Sequence, residues 1–198
     1  MRATGVAGIL LAAGGGSRLG QPKALVQLGG EPLASRGAAM LSAGGAAPIV
    51  VVTGAVAVNL PGVLAVHNPR WRSGMGSSLA AGLATVPETC GAAVIALVDQ
   101  PLIGPAAVRR LIAAYAAGAG VAVASYGGAP RNPVLLAREY WAEVISLAVG
   151  DAGARQFLRA HPELVTVVEC GDTGRPDDID TRADLERIAA ELPPGSAG

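Results

Sequence analysis

Three consecutive glycines, Gly14, Gly15 and Gly16, strip side chains from one stretch of backbone in LAAGGGSRLGQPK, and Arg18 and Lys23 place two cations on the same segment. Successive bare N–H groups form a concavity for anions, and a guanidinium and an ammonium beside it supply charge-assisted bonds to phosphate oxygens. The two best-known phosphate loops do not match. A dinucleotide fingerprint needs glycine at its first, third and sixth places; Gly14 and Gly16 meet two, but Leu19 stands at the sixth. The second strand, ending at Val52 and Thr53, also lacks the acid that would hold a ribose. A Walker loop needs Lys and Ser or Thr after its last glycine, where this chain has Gln21 and Pro22. A flexible turn in a chain with 28 glycines is the plain structural alternative.

Carboxylates supply the second signal. In LVDQP, Asp99 follows a strongly apolar run and Pro101 stops further pairing. A carboxylate at the end of a central strand is a hard oxygen donor suited to magnesium bridging phosphates. The other reading, a helix cap, is weakened because the next helix begins at Pro105. In RPDDIDTRADLERI, Thr181 with Asp184 forms a capping box for the last helix, which leaves Asp180 over, next to Asp177 and Asp178. Asp180 either belongs to that cap region or is a second ligand to the same metal, if its loop folds over the sheet.

Two further stretches mix capping with binding. In NPRWRSGMGSSLAAGL, Gly74 and Gly76 permit a turn into a helix whose amino end carries Ser77 and Ser78. These hydroxyls can cap, bind an anion or read a base edge, and capping accounts for only one of them. GDAGARQFL joins a helix cap, Asp151, to a possible anion ligand, Arg155. His67 reads as a strand-end residue and His161 as a helix-end one, outside any catalytic motif.

The elements that must position these groups are legible in the periodicity. Apolar runs at Val6, Pro48, Val63, Ala92, Gly120, Asn132 and Val165 alternate with stretches of helical spacing such as EPLASRGAAMLSAG, PAAVRRLIAAYAAG and TRADLERIAAEL. That alternation predicts an α/β fold with a mainly parallel sheet covered on both faces, whose ligands collect where strands end. The 198 residues, 51% hydrophobic and 15% charged, suit one well-packed domain over residues 1–192 with a flexible tail at 193–198. Net charge is zero, with no basic footprint for nucleic acid. The first apolar run breaks into glycines after about ten residues, short of the roughly 20 of a membrane span. Cys90 and Cys170 lack metal or redox spacing and read as buried free thiols suited to the cytoplasm.

Together, LAAGGGSRLGQPK, NPRWRSGMGSSLAAGL, LVDQP, PRNPVLL, GDAGARQFL and DIDTRADL stand in the order of the MobA-like nucleotidyltransferases, and the chain resembles above all the molybdenum cofactor cytidylyltransferases, from about Leu10 to Leu185. The resemblance implies a three-layer α/β/α sandwich, Rossmann-like, of the nucleotidyltransferase (GT-A-like) type. It implies that Leu11, Ala12, Ala13, Gly14, Gly15, Gly16 and Ser17 wrap a nucleoside triphosphate, with Arg18 and Lys23 neutralising its phosphates. Gly76, Ser77 and Ser78 would contact base and ribose. Asp99 and Asp180 would hold Mg²⁺, and Arg131, Asn132, Asp151 and Arg155 would face the acceptor. Many relatives have Gly-His-Pro where this chain has Arg131-Asn132-Pro133, so the position is recognisable while its first two residues are not those of the family.

The implied reaction is attack by a phosphate on the α-phosphorus of a nucleoside triphosphate, with release of pyrophosphate. In that resemblance LAAG accompanies CTP and LAGG accompanies GTP; Ala13 therefore favours CTP, with molybdopterin as acceptor and a molybdoenzyme receiving the product. Other readings remain: another phosphorylated small molecule as acceptor, a MobA-like oxidoreductase, or a non-catalytic carrier of the molybdenum cofactor.

Overall fold

Strand β1, Gly5–Leu11, divides the core between two faces. Side chains along a strand alternate, so Val6 and Leu10 join one buried cluster while Ala7, Ile9 and Leu11 join the other. The computed structural model describes residues 4–192, and all seven apolar runs are strands in it. After β1 come a small hairpin, β2 Gln27–Leu28 and β3 Glu31–Pro32, helix α1 Leu33–Ala43, β4 Ile49–Thr53 and β5 Leu64–His67. Helix α2 Met75–Thr85, β6 Cys90–Leu97, α3 Pro105–Ala116, β7 Val121–Tyr126 and β8 Ala129–Ala137 follow. The chain closes with α4 Trp141–Leu147, α5 Arg155–Ala160, β9 Val165–Glu169 and α6 Arg182–Glu191.

The main sheet has seven strands in the order β5-β4-β1-β6-β8-β7-β9. Helices α1, α3 and α6 cover one face through Leu33, Leu41, Val108, Leu111 and Ile188. Helices α2, α4 and α5 cover the other through Leu79, Leu83, Trp141, Val144 and Phe157. This is the expected three-layer α/β/α sandwich.

The sheet is mainly parallel, as expected, with one exception. β8 runs antiparallel to both β6 and β7. The reason is local: Gly127 and Gly128 join β7 to β8 with φ of 61° and 82°. Two successive positive φ values make the tight turn whose twist matches a hairpin. Within β8 the register slips, Val123 pairing with Val134 and Ala124 with Arg131, so Asn132 and Pro133 form a bulge. A bulge tolerates proline and re-aims neighbouring side chains.

Other expectations can be placed directly. Cys90 and Cys170 are free and buried. Thr181 and Asp184 form the capping box of α6. No helix among the described residues is long and apolar enough to cross a membrane. The expected tail, 193–198, lies outside the described residues.

Candidate active site

Strand β1 delivers the glycine loop to the carboxyl edge of the sheet, where backbone bonds pin its start. The Ala12 N–H donates to the Val52 carbonyl at 2.9 Å, and the Ala13 carbonyl accepts from the Ala55 N–H at 3.0 Å. The loop then doubles back at Gly16, whose φ is 60°. A Cβ there would lie 1.9 Å from the Gln21 carbonyl oxygen, so the fold requires glycine. This reversal carries Lys23 back over the strand ends. Its Nζ lies 2.7 Å from Asp99 Oδ2 and 2.5 Å from Asp180 Oδ1.

The two carboxylates meet because a C-terminal loop is laced to the segment after β6. The Ile179 N–H donates to the Asp99 carbonyl at 2.8 Å, and the Arg175 N–H donates to the Leu102 carbonyl at 3.1 Å. Gln100 Nε2 donates to Asp178 Oδ1 at 2.8 Å. The α6 capping box then holds the end of the loop, since Asp184 Oδ2 accepts from the N–H groups of Asp180 and Thr181.

Electrostatics at this junction are set by burial and charge together. Burial alone would lower the Lys23 pKa, but the Asp99 and Asp180 carboxylates override it and hold the ammonium above its usual range. Burial pushes the Asp178 carboxyl upward against its Gln100 hydrogen bond, and the charges of Asp99 and Asp180 add to the rise.

A cleft with three compartments opens around the junction. The first, about 590 Å³, is lined by Leu11, Ala13, Gly14, Trp71, Ser78 and Asp99 among others. The second, about 760 Å³, contains Gly16, Ser17, Arg18, Arg155 and Asp180, and shares Lys23, Met75 and Asp151 with the first. The third, about 560 Å³, is lined by Gln100, Arg131, Asn132, Arg159 and Asp178, and shares Arg155 with the second. Volumes of this size suit small-molecule ligands.

Most of the expected residues therefore converge, but four face elsewhere. The Ala12 side chain is buried in the core on the sheet face that α1, α3 and α6 cover, and Gly15 backs onto the Trp71 ring. Gly76 and Ser77 line a separate groove with Ala148 and Val149. The reason is helical: α2 advances about 100° per residue, so Met75 and Ser78 share the cleft face while positions 76 and 77 turn away. Ser77 Oγ instead donates to backbone carbonyls of Arg70 and Gly74, and Asn68 Nδ2 donates to both serine hydroxyls. Asp151 does not cap its own helix. Its Oδ1 accepts from the Met75 N–H at 3.3 Å, across the cleft on the first turn of α2.

Trp71, Arg72 and Met75 line the first compartment without having been singled out in the sequence. Arg72 stacks on the Trp71 ring with its Cζ 4.5 Å from the ring centroid. In NPRWRSGMGSSLAAGL the aromatic–Arg pair Trp71-Arg72, entering the turn at Gly74, was the available signal.

The donor set fits magnesium. Among the described residues no group of three or more His, Cys, Asp or Glu side chains is gathered, so the junction offers a pair of carboxylates. Magnesium typically takes one or two carboxylates and fills its remaining positions with water and substrate phosphates. Asp99 Oδ1 is buried and has no hydrogen-bond partner, a carboxylate oxygen that Lys23 leaves unsatisfied.

A mainly parallel sheet whose carboxyl edge carries a glycine loop and a carboxylate, met there by a second carboxylate from a C-terminal loop, suits nucleotide handling, and residues 8–165 match the MobA-like NTP transferase domain. The chain belongs to that nucleotidyltransferase family. It is 38% identical to nicotine blue oxidoreductase of Paenarthrobacter nicotinovorans, over 92% of this chain and 96% of that protein. It is 30% identical to purine catabolism protein PucB of Bacillus subtilis, over 95% and 98%. The crystal structure of an Rv0371c homologue from Mycobacterium sp. strain JC1 superposes with a TM-score of 0.81 at 32% identity, covering 96% of this chain and 97% of that one.

Proposed function

We propose that this protein is a magnesium-dependent nucleotidyltransferase that transfers CMP from CTP to the phosphate of molybdopterin, releasing pyrophosphate. The observation that carries the reading is the Lys23–Asp99–Asp180 junction, set where a compartment edged by the glycine loop meets one rich in arginine. The base and ribose occupy the first compartment, against Ala13, Trp71 and Ser78. The triphosphate runs along Gly14, Gly16 and Ser17 toward Arg18 and Lys23. The acceptor enters from the third compartment, where Arg131, Asn132, Arg155 and Arg159 receive its anionic group.

A phosphomonoester has a second pKa of about 6 and is already largely ionised at neutral pH. The attacking oxygen therefore needs no strong general base, and neither His67 nor His161 lines the three compartments. The work falls to in-line positioning and charge stabilisation by Lys23, Arg18 and Arg155. Magnesium held by Asp99 and Asp180 would supply further neutralisation of the phosphate oxygens.

The identity of the P. nicotinovorans relative favours a second reading, a redox enzyme using the same cleft. A thermal-stability panel with CTP, GTP, ATP, UTP, NAD and FMN, each with and without Mg²⁺, separates the two. Ligand at 100 times its Kd stabilises the native state by about 2.7 kcal/mol. The expected result is a Mg²⁺-dependent shift with CTP; a shift confined to NAD or FMN puts the redox reading first, and no shift favours a carrier.

Base preference rests on Ala13, which is buried and whose carbonyl is fixed to Ala55. Its methyl narrows the first compartment. Ala13→Gly is expected to move the CTP-to-GTP affinity ratio about tenfold toward GTP, the scale of one methyl group in a pocket. Competition binding in which the variant keeps its full pyrimidine preference rejects this assignment.

A further inference from the structure

Lys23 holds the position that a divalent ion would need. Its ammonium touches one oxygen of each carboxylate, at 2.7 and 2.5 Å, and only 16% of the side chain is exposed. A dication brought to the same carboxylates would stand in contact with that ammonium, two like charges in a half-buried site. Each therefore weakens the hold of the carboxylates on the other. Yet the lysine does not complete the site, because Asp99 Oδ1 is left buried and unpaired. A buried carboxylate oxygen without a partner is costly, and a cation brought to Asp99 would relieve it.

The cleft also shows where the ammonium can go. Lys23 lines the second compartment as well as the first, and the second carries Gly16, Ser17 and Arg18, the segment assigned above to the triphosphate. A triphosphate placed there offers Lys23 oxygens of higher charge than one carboxylate pair, and draws the ammonium off the junction.

Resting on the nucleotidyltransferase reading, we propose that Lys23 is the resident cation of the Asp99–Asp180 site and couples metal to nucleotide. Tight occupation of the carboxylates by a divalent ion requires the nucleotide to draw Lys23 away first. Linkage makes the effect reciprocal: whatever factor the nucleotide adds to metal affinity, the metal adds to nucleotide affinity. The enzyme thus resists loading with metal alone, and the same side chain serves as counter-ion before binding and phosphate ligand after it.

The test measures Mn²⁺ binding by loss of the free-ion electron paramagnetic resonance signal, with and without a non-hydrolysable CTP analogue. The wild-type protein is expected to bind Mn²⁺ at least about tenfold more tightly with the analogue, within the usual range of coupling between sites. Lys23→Met and Lys23→Gln are expected to bind Mn²⁺ alone about tenfold more tightly than wild type, with the enhancement by analogue, corrected for Mn²⁺ held by the free analogue, reduced by the same factor and the part due to direct phosphate ligation kept. Adding Asp180→Asn to either should remove the gain. Two replacements of different polarity are used so that misfolding of one, seen in its thermal midpoint, leaves the other decisive. If both fold and bind Mn²⁺ alone no better than wild type, while the wild type still responds to the analogue, the coupling is overturned and the nucleotidyltransferase reading stands. If no form binds Mn²⁺ even with the analogue, that reading falls and the coupling falls with it.

Discussion

Asp99→Asn and Asp99→Ala are expected to lower Mg²⁺-dependent turnover by about 10³-fold while the chain stays folded. The loss follows from position: Asp99 sits one residue beyond Val98, whose N–H is fixed to the Leu11 carbonyl, and lines the first compartment where Lys23 joins it to the second. Removing one preorganised group that stabilises developing charge costs about 10²–10³-fold in rate, and Asp99 both pairs with Lys23 and carries the oxygen left for a metal. A 10³-fold loss corresponds to about 4 kcal/mol of barrier.

Retention of the fold follows from what the backbone does there. The Asp99 carbonyl still accepts from Ile179, so the C-terminal loop remains laced to the sheet. Lys23 keeps Asp180 as a partner. In Asp99→Ala, truncation also deletes Oδ1, an unpaired buried atom whose cost is about 1–3 kcal/mol, and this offsets the lost ion pair. The thermal midpoint of that variant should therefore stay level or rise. Steady-state pyrophosphate release and a melting curve check both halves, and wild-type-like turnover in either variant removes Asp99 from the machinery.

The architecture was legible because its cause is local. Seven apolar runs separated by helical spacing are strands in the structure, and alternation along Val6–Leu11 alone shows that both sheet faces are covered. Strand order is not local, and the direction of β8 was missed although Gly127-Gly128 encodes it as a two-residue turn. The meeting of Asp99 with Asp180 was conditional in the sequence for the same reason. It depends on the bonds of Ile179, Arg175 and Gln100 to partners 73 to 80 residues away in the chain, which no periodicity reveals.

Site residues divide along similar lines. Residues at strand ends, such as Asp99, were placed by topology, because any side chain there faces the crevice. Residues on α2 required a rotational phase that composition does not give: GMGSS carries five small or flexible residues, and only the observed start of the helix at Met75 decides which of them face the cleft. Lys23 as partner to both carboxylates was equally hidden. Its cationic type suggested phosphate, whereas the free protein uses it against the acids themselves.

The α2 phase gives the second large effect. Gly76→Ala is expected to destabilise the protein by about 1–3 kcal/mol, the range for forcing a methyl group into a packed contact. A Cβ at this position would lie 1.8 Å from the Ala148 carbonyl oxygen and 2.6 Å from its carbon. These are backbone atoms, so no rotamer change relieves the clash. Alanine in a helix interior gains about 1 kcal/mol over glycine, which the steric term outweighs. At about 2–4 °C per kcal/mol for a chain of this size, the midpoint should fall by several degrees. The consequence also reaches the cleft, because the segment from Ala148 onward carries Asp151, whose carboxylate holds the Met75 N–H, and then Arg155. Displacing it should weaken the arginine-rich compartments more than the one lined by Ala13 and Ser78. Melting curves and CTP binding separate this from the base-contact role suggested by sequence: a lower midpoint with CTP affinity nearly kept supports packing, whereas an unchanged midpoint with lost CTP affinity restores Gly76 to the nucleotide site.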